Sequence, residues 1–244
     1  MIEYKVNDIF LSVQGEGPAV GHPAVFVRFS GCNMACEFCD TEHEEFKIYS
    51  SQTLLSKIAE VSRPANLWRT LRSIRCVLTG GEPLMQIQPL LIYDVIRAGL
   101  IPCVETNGTM GATGSTPPSL ISSALHHCRE VVVSPKSNKY DREILHWANC
   151  LKVLVPFVGG ITSELVLEMT EHLGKHRAGE KHLIFQPLRP IPPKWPDDDW
   201  KEENDAKTWR ENCAHAVFCA FQFGQEYGQT WRVIPQTHVY MELR

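Results

Sequence analysis

Short apolar runs alternate with amphipathic stretches along most of this chain. Ala24 to Phe29, Ile74 to Thr79, Ile101 to Thr106, Glu130 to Ser134, Leu151 to Val155 and Leu183 to Pro187 are brief and rich in β-branched residues, and each reads as a strand. Val6 to Leu11 leads into a polar turn, Gln14-Gly15-Glu16-Gly17. Between the strands, apolar residues recur at helical spacing. Leu54, Leu55, Ile58 and Val61 form one face of a helix from about Ser51 to Val61, with Ser50 or Ser51 as its N-cap. Further helices are expected through Leu90, Leu91 and Val95, near Pro118 to His127 with a start at Thr116, from about Ser163 to His176, and from about Trp200 to Phe221. A last extended stretch covers Thr230 to His238. Strands separated by helices predict an α/β fold whose mainly parallel sheet is buried on both faces. No internal repeat or low-complexity linker interrupts the pattern, so one domain is expected over residues 1–244. The run from Pro190 to Asp199 is too proline-dense for a helix or a central strand; it predicts a Pro/Asp-rich surface insertion reaching to about residue 205.

Composition narrows the picture. At 43% hydrophobic and 21% charged residues the chain is ordinary for a soluble globular protein. A net charge of −4 and a pI near 6.2 argue against a nucleic-acid-coating surface. No apolar run approaches the ~20 residues of a membrane helix, and the N-terminus lacks the basic and apolar parts of a signal peptide. Cys76, Cys103, Cys128, Cys150, Cys213 and Cys219 are scattered without a disulfide-like framework, several inside apolar runs, which points to a reducing, cytoplasmic compartment.

The remaining three cysteines are different. Cys32, Cys36 and Cys39 are spaced Cys-x3-Cys-x2-Cys directly after the Ala24–Phe29 run, so one loop can wrap three thiolates around an inorganic centre. Iron–sulfur clusters usually take four cysteines, so three suggest a cluster with one iron left open. A closed Cys3His zinc site using His43 is the alternative. Polar or glycine-rich residues also follow the ends of successive strands: Cys32 onward, Thr79-Gly80-Gly81-Glu82, Glu105-Thr106-Asn107, Ser134-Pro135-Lys136 and Gln186-Pro187. In a barrel-like parallel sheet that edge is where an active site is built, and a zinc-stapled binding module has no need of it.

These residues resemble the radical S-adenosylmethionine (AdoMet, SAM) superfamily and, within it, the 7-carboxy-7-deazaguanine synthase family. The resemblance runs from Val6 to His238 and rests on Gln14-Gly15-Glu16-Gly17, Pro23 to Arg28, Cys32 to Thr41, Thr79-Gly80-Gly81-Glu82-Pro83, Glu105-Thr106-Asn107-Gly108, Ser134-Pro135-Lys136 and Gln236-Thr237-His238. It implies a shortened radical SAM partial (β/α) barrel of about six mainly parallel strands with fewer helices, and a homodimer. It also implies a lyase-type ring contraction of 6-carboxy-5,6,7,8-tetrahydropterin to 7-carboxy-7-deazaguanine, a queuosine precursor, with loss of ammonium. The [4Fe-4S] cluster, AdoMet, Mg2+ and an external flavodoxin-like electron donor come with it.

The resemblance also implies roles for residues. Cys32, Cys36 and Cys39 would hold the cluster, and Thr41 would ligate magnesium. Phe38, Cys39, Asp40, Gly80, Gly81, Ser134, Pro135, Lys136 and Gln186 would contact AdoMet. Val13, Gln14, Gly15, Glu16, Arg28 and Thr79 would contact the pterin, with Arg28, Gln14 and Thr79 closest to the chemistry. A guanidinium such as Arg28 suits a bidentate grip on the substrate carboxylate. Glu105 and Asn107 are plausible partners for the pterin edge. The chain departs from the family in having Val239 where a lysine is usual after Gln236-Thr237-His238, and in the 190–205 insertion. A radical SAM enzyme with another substrate, such as the glycyl-radical activating enzymes, and a zinc-stabilised binding protein are the rival readings.

Overall fold

The computed structural model describes residues 2–39, 41–42, 44–63, 74–110, 117–189 and 202–237. Among them, nine strands form one sheet: β1 (Glu3–Val13), β2 (Pro23–Phe29), β3 (Lys47–Ser50), β4 (Arg75–Gly80), β5 (Ile101–Thr106), β6 (Glu130–Val133), β7 (Cys150–Val155), β8 (His182–Pro187) and β9 (Trp231–Val233). The helices are α1 (Ser51–Val61), α2 (Pro89–Arg97), α3 (Pro118–His126), α4 (Arg142–Trp147), α5 (Ser163–His172) and α6 (Glu202–Tyr227). The spatial order β3-β1-β2-β4-β5-β6-β7-β8-β9 contains the six expected parallel strands, β2 and β4 to β8, as an unbroken series. The short β9 extends it in parallel, while β1 and β3 add antiparallel strands at the other edge. This is a partial barrel with a largely parallel sheet.

Side chains alternate between the two faces of a strand, and here the faces differ in kind. Val25, Val27, Leu78, Val104, Val133, Val153 and Phe185 point into the main apolar core, where they meet Leu54 and Ile58 of α1, Leu91 and Val95 of α2, Leu125 of α3 and Leu145 of α4. Phe185 stacks on Trp231 at 4.1 Å between ring centres, and Phe223 of α6 meets both edge-on, which fastens the last helix and strand to the barrel. Among the described residues, the opposite face carries two small apolar clusters: Ala24, Val77 and Cys103, and Val132, Cys150 and Ile184. The turn Gly17–Ala19 packs over this inner face, with Val132 Cγ2 3.6 Å from where a side chain on Gly17 would begin.

Local chemistry explains the helix ends. Ser50 caps α1 by accepting from the Thr53 N–H. Helix α5 stops at His172, short of the expected His176, and the chain turns at Gly174 with φ 64°. Helix α6 runs past Phe221 to Tyr227, and Gly228 follows it with φ 64°. Its first turn, Glu202-Glu203-Asn204-Asp205, belongs to the expected insertion. The rest of that insertion, Thr116, and the tail from His238 through Val239 lie outside the described residues. Among the described residues, no helix is long and apolar enough to cross a membrane.

Candidate active site

The inner-face positions that lie towards the C-terminal ends of the strands are polar. Arg28, Thr79, Glu105, Ser134, Lys152 and Gln186 share the parity of the two small inner clusters, and Arg28 pairs with Thr79 across the β2–β4 ladder. The Arg28 guanidinium sits 4.9 Å over the ring of Phe10, which itself stacks on Phe26. Glu105 is the hub of this row: Gln14 Nε2 donates to its Oε1 at 2.8 Å and Thr79 Oγ1 to its Oε2 at 3.4 Å. Gln14 is itself buried, and its Oε1 accepts from the Glu16 N–H at 3.1 Å.

Beside this hub lies a charge that the sequence reading passed over. Lys152 of β7 is 5% exposed and pairs with Glu16. Burial alone would lower its pKa, but Glu16 and Glu105 outweigh burial and hold the ammonium above its ordinary value. The other Glu16 oxygen accepts from Gln236 Nε2 at 2.7 Å, and Thr237 donates from both its N–H and its hydroxyl to the Gly15 carbonyl at 3.0 Å. The Gln14–Gly17 turn and the Gln236-Thr237 segment, far apart in sequence, thus meet over the inner face. Val13 ends β1, half-buried, where it enters this turn.

The cysteine loop is fixed by the strand ends next to it. Gly81 N–H donates to Phe29 O and Glu82 N–H to Gly31 O, each at 2.9 Å. A Cβ at Gly80 would lie 2.3 Å from Phe29 O and one at Gly81 2.0 Å from Gly31 O. Only glycine admits that approach, and the partner is the backbone entering the cysteine loop. The loop's far side is held through Asn33, which accepts from Asn107 Nδ2 at 2.9 Å and donates to Thr109 Oγ1 at 2.8 Å. Glu82, fully buried, accepts from Leu84 N, Thr106 Oγ1 and Asn107 N at 2.8–3.0 Å, which ties the end of β4 to that of β5.

Cys32, Cys36 and Cys39 are free thiols, the first two half-buried and the third exposed. Burial raises the thiol pKa values of Cys32 and Cys36, and Lys136 opposes this at Cys36. Lys136 Nζ donates to Ser134 Oγ at 2.9 Å and also lowers the pKa of Glu82, so it sits among the cysteine loop, β4 and β6. Pro135, between them, is buried. Gln186 is buried at the end of β8, and its Oε1 has no hydrogen-bond partner among the described residues. Phe38 and Thr41 are half-buried on the loop, with the Thr41 carbonyl 3.6 Å from the Cys39 sulfur. Asp40 and His43 lie outside the described residues.

This donor set fits a three-thiolate cluster with an open coordination position, and the unsatisfied Gln186 oxygen fits a ligand that brings its own hydroxyl donors. One threonine hydroxyl fits magnesium only where substrate oxygens and water complete the shell.

The buried carboxyl of Glu82 yields a pH test. Burial raises its pKa from 4.5 to about 7. The folded value lies above the unfolded one, so its contribution to stability is full below about pH 4.5 and is lost as pH rises through about 7. Urea unfolding of the cluster-free protein should show wild-type stability falling by on the order of 3 kcal/mol between pH 4.5 and 8 relative to Glu82→Gln. A difference between the two proteins that does not change with pH would contradict the assignment.

Comparison with known proteins adds the following. The family described as 4Fe-4S single cluster domain matches residues 13–149, more than half of the chain. A 7-carboxy-7-deazaguanine synthase of Bacteroides thetaiotaomicron is 48% identical over 106 residues, 43% of this chain and 52% of that protein. The chain therefore spans about half the length of that relative. A protein of the same name from Burkholderia multivorans is 32% identical over 165 residues, 63% of this chain and 72% of the relative. Among solved structures, the crystal structure of QueE from Escherichia coli matches with a TM-score of 0.55 at 24% identity, covering 97% of this chain and 95% of the other. That likeness concerns the fold.

Proposed function

The chain belongs to the 4Fe-4S single cluster domain family and to the family of 7-carboxy-7-deazaguanine synthases, and from that premise we propose that it converts 6-carboxy-5,6,7,8-tetrahydropterin into 7-carboxy-7-deazaguanine and ammonium. The observation that carries the reading is the polar row of the inner face, Arg28, Thr79 and Glu105, adjoining a loop of three free cysteines. The conversion is a rearrangement without net oxidation: the ring contracts and one nitrogen leaves as ammonia.

Cys32, Cys36 and Cys39 hold the cluster, which when bound supplies one electron to the sulfonium of AdoMet. Phe38, Cys39, Asp40, Gly80, Gly81, Ser134, Pro135, Lys136 and Gln186 form the AdoMet-binding wall. Lys136 brings a positive charge to it, and Gln186 an unsatisfied acceptor for a ribose hydroxyl. Arg28 grips the substrate carboxylate with two parallel N–H donors, and its place over Phe10 limits the directions it can take. Gln14, Thr79 and Glu105, already linked by hydrogen bonds, present donors and acceptors to the pterin ring, with Val13 and Gly15 beside them. Glu16 completes this wall, paired with Lys152. Holding the ring with one C–H towards the reacting carbon of AdoMet is the chain's own contribution to rate. The contact between the Gln14–Gly17 turn and Gln236-Thr237 supports this substrate over that of a glycyl-radical activating enzyme, whose pattern lacks both segments.

Thr41 contributes its hydroxyl to a magnesium ion that also touches substrate. The exposed side chains of Val217, Phe218 and Phe221 on α6 support a homodimer. A flavodoxin-like protein serves as electron donor, and the enzyme, a carbon–nitrogen lyase, works in the cytoplasm.

The test is anaerobic turnover of cluster-loaded protein with substrate, AdoMet, magnesium and a reductant. It should yield 7-carboxy-7-deazaguanine and ammonium in equal amounts. Arg28→Ala should keep its iron content and cluster spectrum and lose about 10–100-fold in turnover, the scale of one or two charge-assisted hydrogen bonds. Intact cluster and AdoMet cleavage without any deazaguanine would overturn the reading. A further expectation concerns Thr41: magnesium should stimulate the wild type and have little effect on Thr41→Ala, and an equal response in both would remove Thr41 from the metal.

A further inference from the structure

On the helix-covered side of the sheet, away from the inner face, Glu143 and His146 stand one turn apart on α4, and His176 comes from the segment after α5. Glu143 Oε2 lies 3.4 Å from His146 Nδ1 and 3.4 Å from His176 Nε2, and all three atoms fall within 4.8 Å of one another. Ligands about 2.0–2.1 Å from a tetrahedral ion are separated by about 3.3 Å, so the two spacings to Glu143 match those around one metal ion, and the histidine nitrogens lie within 4.8 Å of each other. His146 Nδ1 is buried and, among the described residues, meets no polar partner other than the Glu143 carboxylate 3.4 Å away. In the tautomer that carries its proton on Nε2, the Nδ1 lone pair is free for a metal ion.

The surroundings hold the three groups in place. Glu143 Oε1 accepts from Trp147 Nε1 at 3.0 Å, which leaves Oε2 for the histidines. The other nitrogen of His146 faces His172 Nδ1 at 3.3 Å, the arrangement by which a second group orients a metal-bound imidazole. The segment carrying His176 is stitched to α4: His176 N–H donates to His146 O at 2.9 Å, Gly174 N–H to Leu145 O at 2.9 Å, and Arg177 Nη1 to Trp147 O at 3.1 Å. The side chains of Glu143 and His176 are 48% and 42% exposed, so a fourth position stays open to water.

We propose that Glu143, His146 and His176 form a second metal site, separate from the cysteine loop, for a borderline divalent transition-metal ion of the zinc class. Two imidazoles and one carboxylate suit that class, whereas magnesium and calcium prefer all-oxygen shells. The ion would clamp α4 to the connection between α5 and β8 and would not touch the reactants.

The test uses the anaerobically prepared, cluster-loaded protein equilibrated with Zn(II), with metal counted by mass spectrometry and the zinc environment read by X-ray absorption. One zinc per chain should bind beside the cluster iron, in a shell of nitrogen and oxygen at about 2.0–2.1 Å. His176→Ala and Glu143→Ala should lose that zinc while keeping their iron, sulfide and AdoMet cleavage, and His172→Ala should weaken it about 10–100-fold. A Cys32→Ala variant should still bind the zinc. Absence of zinc binding, sulfur neighbours at about 2.3 Å, or equal zinc in wild type and both ligand variants would each overturn the proposal.

Discussion

A full positive charge lies buried in the inner face of the sheet, and several separate parts of the chain converge to compensate it. An ammonium such as that of Lys152 costs several kcal/mol to remove from water, and breaking such a pair typically costs about 3–5 kcal/mol. Its carboxylate partner Glu16 comes from the turn after β1, and Glu105 adds its charge from β5. Glu105 in turn is bonded by Gln14 and Thr79, and Glu16 by Gln236. The N-terminal turn, three parallel strands and the C-terminal segment are therefore positioned by one electrostatic requirement. The same groups are those proposed to face the pterin, so the scaffold and the recognition surface are one network.

A second arrangement sets where the cysteine loop stands relative to that network. Glycines 80 and 81 let the end of β4 press against the backbone of Phe29 and Gly31, and buried Glu82 joins the same turn to Thr106 and Asn107. Asn107 then reaches Asn33 within the loop. Strands β2, β4 and β5 thus fix both the entry to the loop and one point inside it. The loop and the Arg28–Thr79–Glu105 row share these strands, which fixes their separation without a dedicated linker.

The sequence showed the gathering of polar residues at strand ends because parallel strands here are strongly apolar and stop at sharp polar or glycine-rich junctions. It showed the six-strand parallel series for the same reason. Strand β3 and helix α4 are missing from that reading: with four and six residues they are too short for a period to register. Helix α5 was read too long because His176 continues the polar pattern past the turn at Gly174. The Gly80-Gly81 pair, expected to contact AdoMet, also lets the end of β4 approach the neighbouring strand and loop closely. Lys152 was visible as one charge inside an apolar strand, a position that demands a buried acid, but its partners lie far away in sequence. Glu143, His146 and His176 leave no local motif at all, since the fold of α4 and α5 brings them together.

Labelled substrate tests whether this inner face holds a pterin for hydrogen transfer to and from AdoMet. Cluster-loaded protein is given 6-carboxytetrahydropterin deuterated at the reacting carbon, and AdoMet and deazaguanine are both analysed by mass spectrometry. On the proposed reaction, with the cofactor re-formed each turnover, deuterium should appear in AdoMet while deazaguanine accumulates in excess over enzyme. Deazaguanine formed with no label in AdoMet, and 5′-deoxyadenosine released in equal amount, would contradict it.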